Sequence, residues 1–361
     1  MVALASGVSP DLAYSGPPKF TMTQAFTAWT VDVPMLVLIV ALGAWYLFSV
    51  RKVRRQGGQW GIGRTFTFCV LGLGFWVIAT MSWVGVYQSA LFYARATQTV
   101  LLVLLTPLFL MMGKPITLLI EAQPAVGKRV EAAIHSGVAK VVTFPAITTL
   151  LLIAVPMSMY FTSWYTAVFN SGTVRELTYL ILMVPGLVFF WTLLRVDPVP
   201  KKYPYGVAMW ITAAEVVGDA FFGIAVIADQ TMLAAQHYQA VGYPFGPSLA
   251  TSQVLGGGII WILGDAVGLP FLAVQLIQMM REDKVEAAEI DAELDARDAA
   301  REAARAARQG GSAVPVAVPV AAADGAPTEY DAVNHEADGA DDDERPWWES
   351  DPRITNRYGR G

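Results

Sequence analysis

The chain has 361 residues, 55% of them hydrophobic and 15% charged, with a formal net charge of −5. An apolar share of that size, gathered into blocks of about 20 residues, is the composition of a membrane protein. The one cysteine, Cys69, excludes an internal disulfide and a cysteine-built metal site, and the three histidines, His135, His237 and His335, all lie outside the apolar blocks. No imidazole or partner thiol is left there to activate a nucleophile, so no enzyme is expected.

Residues 1–30 lack a basic stretch followed by an apolar core and are read as an extracytoplasmic segment rather than a cleaved signal peptide. Seven apolar segments follow, at 31–50, 65–87, 90–112, 141–162, 174–194, 206–228 and 252–280. Each is long enough to cross a hydrocarbon core of about 30 Å at about 1.5 Å per residue. Lipid offers the backbone no hydrogen-bond partner, so each must be a helix. The expected fold is all-α: a polytopic bundle of seven transmembrane helices filling 31–280.

The loops give the expected orientation. Segment one ends in RKVRR (51–55), Lys114, Lys128, Arg129 and Lys140 follow segment three, Arg195, Lys201 and Lys202 follow segment five, and Arg281 and Lys284 follow segment seven. The alternate loops are nearly free of Lys and Arg, Arg175 excepted. By the positive-inside rule the basic loops are cytoplasmic, which places the N-terminus outside, the C-terminus inside, and the chain in the plasma membrane as a multi-pass protein.

Between the spans, 121–136 reads as a short, weakly amphipathic surface helix and 229–250 as the longest outer loop. After the bundle, 281–308 carries opposite charges at helical spacing and reads as a solvated cytoplasmic helix. Residues 309–361, with their Val-Pro-Ala stretch and the acidic run ADGADDDE, have a disordered composition; Trp347 and Trp348 near the end are a candidate docking peptide.

A few residues inside the apolar segments do not belong in lipid: Arg95, Gln98 and Thr99 in segment three, Glu215 and Asp219 in segment six, and Ser252, Gln253 and Asp265 in segment seven. An ionisable side chain at membrane depth is costly and marks either a pathway or a partner. Glu215 and Asp219 are four apart and share a helix face, as do Arg95, Gln98 and Thr99. One reading makes this cluster a proton path or substrate site; the other makes it a buried ion pair, with Arg95 meeting Asp219 across the bundle and locking helix three to helix six. Methionine is the other candidate chemistry, because thioethers bind Cu(I). Met157 and Met159, in the MSM motif at the end of segment four, are candidate metal ligands with His237 as a third, provided the motif leaves the helix, since residues two apart do not share a helix face. Methionine also fills cores without any such role. Gly256, Gly257 and Gly258 open segment seven and are expected to let neighbouring backbones approach.

Several stretches together resemble one family. QTVLLVLLTPLFLMMGKPITLL (98–119) is similar to the third helix of the CtaG family of cytochrome c oxidase assembly factors, in which histidines lie just before and after a glutamine, followed by an apolar run, a proline and a Gly-x-Pro; Gln98, Pro107, Gly113 and Pro115 match that frame. LLRVDPVPKKYP (193–204) resembles the actinobacterial form of the family, DAFFG (219–223) the His-x-Phe-Phe-Gly pattern of helix six, GPSLATSQVLGGGIIWILGD (246–265) the pattern of helix seven, and DKVEAAEID (283–291) the charged end. The resemblance covers about 30–295. It implies a role in building a terminal oxidase, in a family whose members are held to bind copper and load the oxidase's copper centre. The family's histidines are absent here: Arg95 and Thr99 stand at the helix-three positions, Asp219 at the helix-six position, and Ser252 at an aspartate position.

The favoured expectation is therefore a scaffold-like assembly factor with a degenerate copper site, in which an Arg95–Asp219 pair stands where metal stood. A copper-delivery factor using the outer methionines, and a small proton-coupled carrier using Arg95, Glu215 and Asp219, are the alternatives. No resident cofactor is expected, copper being the one candidate; the partners are the lipid bilayer and oxidase subunits or another assembly factor, with no nucleic acid.

Overall fold

The computed structural model describes residue 14, residues 16–201 and residues 203–310. Residues 1–13 and 15 of the N-terminal segment, Lys202, and the tail from 311 with Trp347 and Trp348 lie outside the described residues. The chain divides into two compact units, Met1–Asp291 and Ala292–Gly361. Among the described residues there is no strand. Six helices are long and apolar enough to cross a membrane, or seven when one bent pair counts as a single span.

The six are α1 Val33–Arg55, α2 Ile62–Tyr87, α3 Phe92–Met112, α5 Gly172–Leu194, α6 Tyr205–Ala228 and α7 Leu249–Gly310, and α4 Pro145–Phe161 is the longer half of the bent pair. Their ends follow local chemistry. Asp32 caps α1 by accepting from the Met35 N–H at 3.2 Å, Pro34 fits the first turn, and Lys52, Arg54 and Arg55 face the negative end of the helix dipole. That basic last turn carries α1 past the apolar segment ending at 50. α4 is short because Thr162 is extended; the chain turns by 71° into a second helix, Ser163–Asn170, whose first turn Thr162 caps. α7 continues without a break through the charged stretch, so 252–280 and the helix expected at 281–308 form one element that ends at Gly310. In the second unit the described part is exposed helix, with an Asp298–Arg301 pair at 3.9 Å one turn apart.

The connections carry more helix than expected. The short helix expected within 121–136 is Pro124–Ile134, and it lies between two others, Pro115–Ala122 and Gly137–Val142; Pro115 and Pro124 each fit a first helical turn, and Ser136 caps the last helix. The 229–250 loop contains a helix, Ala235–Val241, flanked by Ala234 and Gly242 in left-handed conformations.

α3 is the centre of the bundle: 72% of its apolar window is buried, against 28% for α1. It packs on α2 and α5, while α4 packs on α5 and α6. Between Leu101 and Leu105 it widens into a turn with i→i+5 hydrogen bonds. Pro107 explains the widening, since it has no N–H for the Val103 carbonyl four residues back and its ring crowds that carbonyl. Gly186 of α5 sits where the displaced carbonyl emerges; a Cβ there would overlap the Val103 oxygen and lie 2.8 Å from Pro107 Cγ.

Asp197, in the Asp-Pro turn between α5 and α6, holds the basic end together. Its carboxylate accepts from Thr117 N at 2.8 Å, Thr117 Oγ1 at 2.6 Å and Ile116 N at 3.3 Å, capping the Pro115–Ala122 helix from 80 residues away. Burial pushes its pKa up, and the Thr117 bonds act against that. No local side chain caps this helix, whose preceding residue, Lys114, is left-handed. Asp197→Ala is expected to cost about 1–2 kcal/mol, read as a lower thermal midpoint in detergent; Asp197→Asn, which keeps an acceptor, should cost less, and equal losses would refute the capping role.

Candidate functional site

α3 presents Arg95, Gln98 and Thr99 on one face, as their spacing requires, and Arg95 is wholly enclosed at 0% exposure. Its guanidinium does not turn toward Asp219. Nη1 donates to Gln98 Oε1 at 2.6 Å and to Gln88 Oε1 at 2.9 Å, Nη2 donates to Met159 Sδ at 3.6 Å, and the guanidinium carbon lies 5.8 Å from the Tyr179 ring centroid. Among the described residues the only ion pair within 4.0 Å is Asp298–Arg301, so the expected Arg95–Asp219 pair is replaced by amides, a thioether and a π face. The acceptors are themselves held. Gln88 Nε2 donates to Gly85 O at 2.9 Å, Tyr179 Oη donates to Gln88 Oε1 at 2.8 Å, and Gln98 Nε2 donates to Ala79 O at 2.8 Å. Thr99 Oγ1 donates to Arg95 O and lies 3.0 Å from Tyr160 Oη. One cation thus ties α2, α3, α4 and α5 together through neutral dipoles. Arg95 Nε has no partner among the described residues.

The acids of α6 have other neighbours. Asp219 faces Gly264 of α7 so closely that a Cβ there would overlap Asp219 Oδ2, and Glu215 faces Gly268, whose Cβ would lie 2.9 Å from Glu215 Oε2. Two carboxyl groups four residues apart on one helix therefore fit two glycines four apart on the antiparallel neighbour. Glu215 and Asp219 contact each other, and Asp265 is the next acid in their electrostatic surroundings. Glu215 Oε2, Asp219 Oδ2 and Asp265 Oδ1 lack hydrogen-bond partners among the described residues. The α6–α7 seam carries further polar groups on both sides of the acids. Thr212 donates to Gln275 Oε1 at 2.9 Å, and Gln253 bridges Val226 O, Asp229 O and Leu233 N. Ser252 is buried, and its hydroxyl has no hydrogen-bond partner among the described residues.

Gly257 and Gly223 close this seam backbone to backbone, each Cβ position lying 2.6 Å from the other's carbonyl oxygen. Gly256 packs on Phe92 and Ala96, whereas a Cβ at Gly258 would meet nothing within 4 Å among the described residues, so two of the three glycines serve close approach.

Thr99 and Asp219 meet at a cavity of about 20 Å³ among α3, α4, α6 and α7. They are its only polar walls, the rest being residues such as Val103, Leu152 and Phe222. That volume holds about one water. It also tests copper. The cavity offers one hydroxyl already engaged with Arg95 O and Tyr160, and one carboxylate, with no imidazole or sulfur; this donor set does not fit Cu(I).

The methionine candidates do not assemble a site either. α4 stays helical through MSM, so Met157 and Met159 point apart: Met159 is buried on Arg95, Met157 only half-buried. His237 stacks on Phe169 at 3.8 Å and its Nε2 lies 3.0 Å from Ser89 O; burial holds its pKa below the ordinary imidazole value. No group of three or more His, Cys, Asp or Glu able to hold a metal occurs among the described residues.

Gln88 and Tyr179 are the site residues that sequence reasoning missed. Gln88 stands one residue beyond the apolar segment ending at 87, and a tyrosine in a span carries no charge signal. The i, i+4 glycines opposite the i, i+4 acids were a legible sign of the α6–α7 pairing.

An uncharacterized protein of Mycobacterium bovis and one of Mycobacterium tuberculosis are each 28% identical to this chain over 288 residues, 78% of this chain and 43% of theirs. A Mycobacterium leprae protein, also uncharacterized, is 26% identical over 288 residues, 78% of this chain and 44% of its own. The chain thus spans less than half the length of the curated relatives it matches. No solved structure matches it. The cytochrome c oxidase caa3 assembly factor family matches residues 44–282, which take in the Arg95 hub and the α6–α7 acids, and the chain belongs to that family.

Proposed function

We propose that the protein is a multi-pass plasma membrane factor that assists assembly of a cytochrome c oxidase as a metal-free scaffold, its N-terminal side outside and its basic loops in the cytoplasm. The observation that carries this reading is the family match over 44–282, which runs from within α1 into the charged part of α7. The scaffold form is supported by the side chains at the family's histidine positions. Arg95 cannot ligate a metal, Thr99 is engaged, and Asp219 faces a pocket with room for about one water. A helix bundle with a polar hub in place of a donor set is suited to presenting its surface to oxidase subunits or another assembly factor.

Deleting the gene in its own host is expected to lower assembled, haem-containing oxidase in membranes while leaving the oxidase transcripts unchanged. Affinity-purified full-length protein is expected to bring down oxidase subunits, and copper above background should be absent after Cu(I) loading and chelator wash. Normal oxidase content in the deletion strain would overturn the assembly reading; one tightly held copper per chain would overturn the metal-free scaffold alone.

A further inference from the structure

The last turn of α1 and the first turns of α2 enclose an open groove of about 550 Å³ lined by Leu47, Val50, Arg51, Arg54, Arg55, Ile62 and Thr65. Its chemistry is divided. Arg51 and Arg55 are exposed and, being four apart, present two guanidiniums on one face. Arg54 Nη2 is held on Trp60 O at 2.9 Å, which fixes the third cation beside them. No acid offsets these charges: the sequence has no Asp or Glu between Asp32 and Glu121, and among the described residues no carboxylate lies within 4.0 Å of the three arginines. Thr65 Oγ1 is buried with no hydrogen-bond partner among the described residues. The other wall is apolar and continues outward, Leu47 being 51% and Ile62 78% exposed. Both residues belong to helices long and apolar enough to span a bilayer, so this wall faces acyl chains while the arginines lie at headgroup level.

We infer that this groove is a binding site for an anionic glycerophospholipid, its phosphate held by Arg51 and Arg55 and the upper part of one acyl chain lying on Leu47, Val50 and Ile62. Charge complementarity selects an anion, and the contiguous apolar wall selects one attached to a lipid. A zwitterionic lipid carries the phosphate but brings its own cation, which the three arginines repel.

The experiment uses the full-length protein in mild detergent, with native mass spectrometry counting bound lipid and a thermal-shift assay run in parallel. Phosphatidylglycerol is expected to bind at least tenfold more tightly than phosphatidylcholine and to raise the unfolding midpoint more. Arg51→Gln with Arg55→Gln should weaken phosphatidylglycerol binding about tenfold or more, whereas Lys128→Gln with Arg129→Gln, in the basic loop after α3, should leave it unchanged. Water-soluble glycerol phosphate should not compete at concentrations where the lipid saturates. Equal binding of the two lipids by the wild-type protein would overturn the inference without reference to any variant. Unchanged phosphatidylglycerol binding in the arginine variant, or full competition by glycerol phosphate, would also overturn it.

Discussion

Arg95→Ala is expected to lower stability in detergent by about 3–5 kcal/mol, and adding Asp219→Ala is expected to give no rescue. Three terms set the first figure. Truncating a fully enclosed side chain of this size leaves a cavity, at about 2–5 kcal/mol for large-to-small changes. The Gln98 carbonyl oxygen then loses its donor, at about 1–3 kcal/mol for a buried orphan. Removing a buried cation returns part of that cost, because a guanidinium kept from water without a counter-charge is itself unfavourable. Arg95→Met fills the volume and removes the charge, so it should fall between wild type and Arg95→Ala. Neutral interhelical hydrogen bonds in membrane proteins average only about 0.6 kcal/mol, so Thr99→Val, which breaks the contact with Tyr160, should cost less than either. Double-mutant cycles locate the partner. Arg95 with Gln88 should couple by about 1 kcal/mol or more, while Arg95 with Asp219, which share no side-chain partner, should add to within about 0.5 kcal/mol. Thermal unfolding of each variant supplies these values, and rescue of Arg95→Ala by Asp219→Ala would restore the direct ion pair that the geometry excludes.

That result bears on what a sequence can disclose about a membrane bundle. The spans were legible because hydrocarbon leaves the backbone one solution, and Arg95, Gln98 and Thr99 were placed on one face by helical spacing alone. Their partner was not legible. Two acids four apart on another span suggest a counter-charge, but which helices adjoin is a property of packing, and α6 turns those acids onto the glycines of α7. The groups that satisfy Arg95 are two glutamines, a methionine and a tyrosine, none marked by charge. The extra helix at Ala235–Val241 escaped notice for a related reason, since it is short and stabilised by aromatic contacts such as His237 on Phe169 rather than by apolar periodicity.

The α3–α5 contact gives the other large effect. Gly186→Ala is expected to destabilise the protein by about 3 kcal/mol, although the change adds one methyl group and improves helix propensity. The reason begins at Pro107, whose missing N–H leaves the Val103 carbonyl without its regular donor and widens α3 over Leu101–Leu105. The displaced oxygen and the proline ring both point at α5, and only a residue without a Cβ leaves room for them. A flexible side chain in that position could swing aside, but a backbone carbonyl and a fixed ring cannot, so the helices must separate and α3, the most enclosed span, must lose contacts on that side. Gly258→Ala is the control: among the described residues nothing lies within 4 Å of its Cβ position, and the exchange should be neutral or stabilising by up to about 1 kcal/mol. Pro107→Ala should partly rescue Gly186→Ala, because it removes the ring and lets residue 107 donate to Val103, drawing the carbonyl back into a regular turn. Thermal midpoints of the three single variants and the double variant decide the matter. If Gly186→Ala is as mild as Gly258→Ala, or if Pro107→Ala deepens the loss, the widened turn is not what holds α5 at this distance from α3.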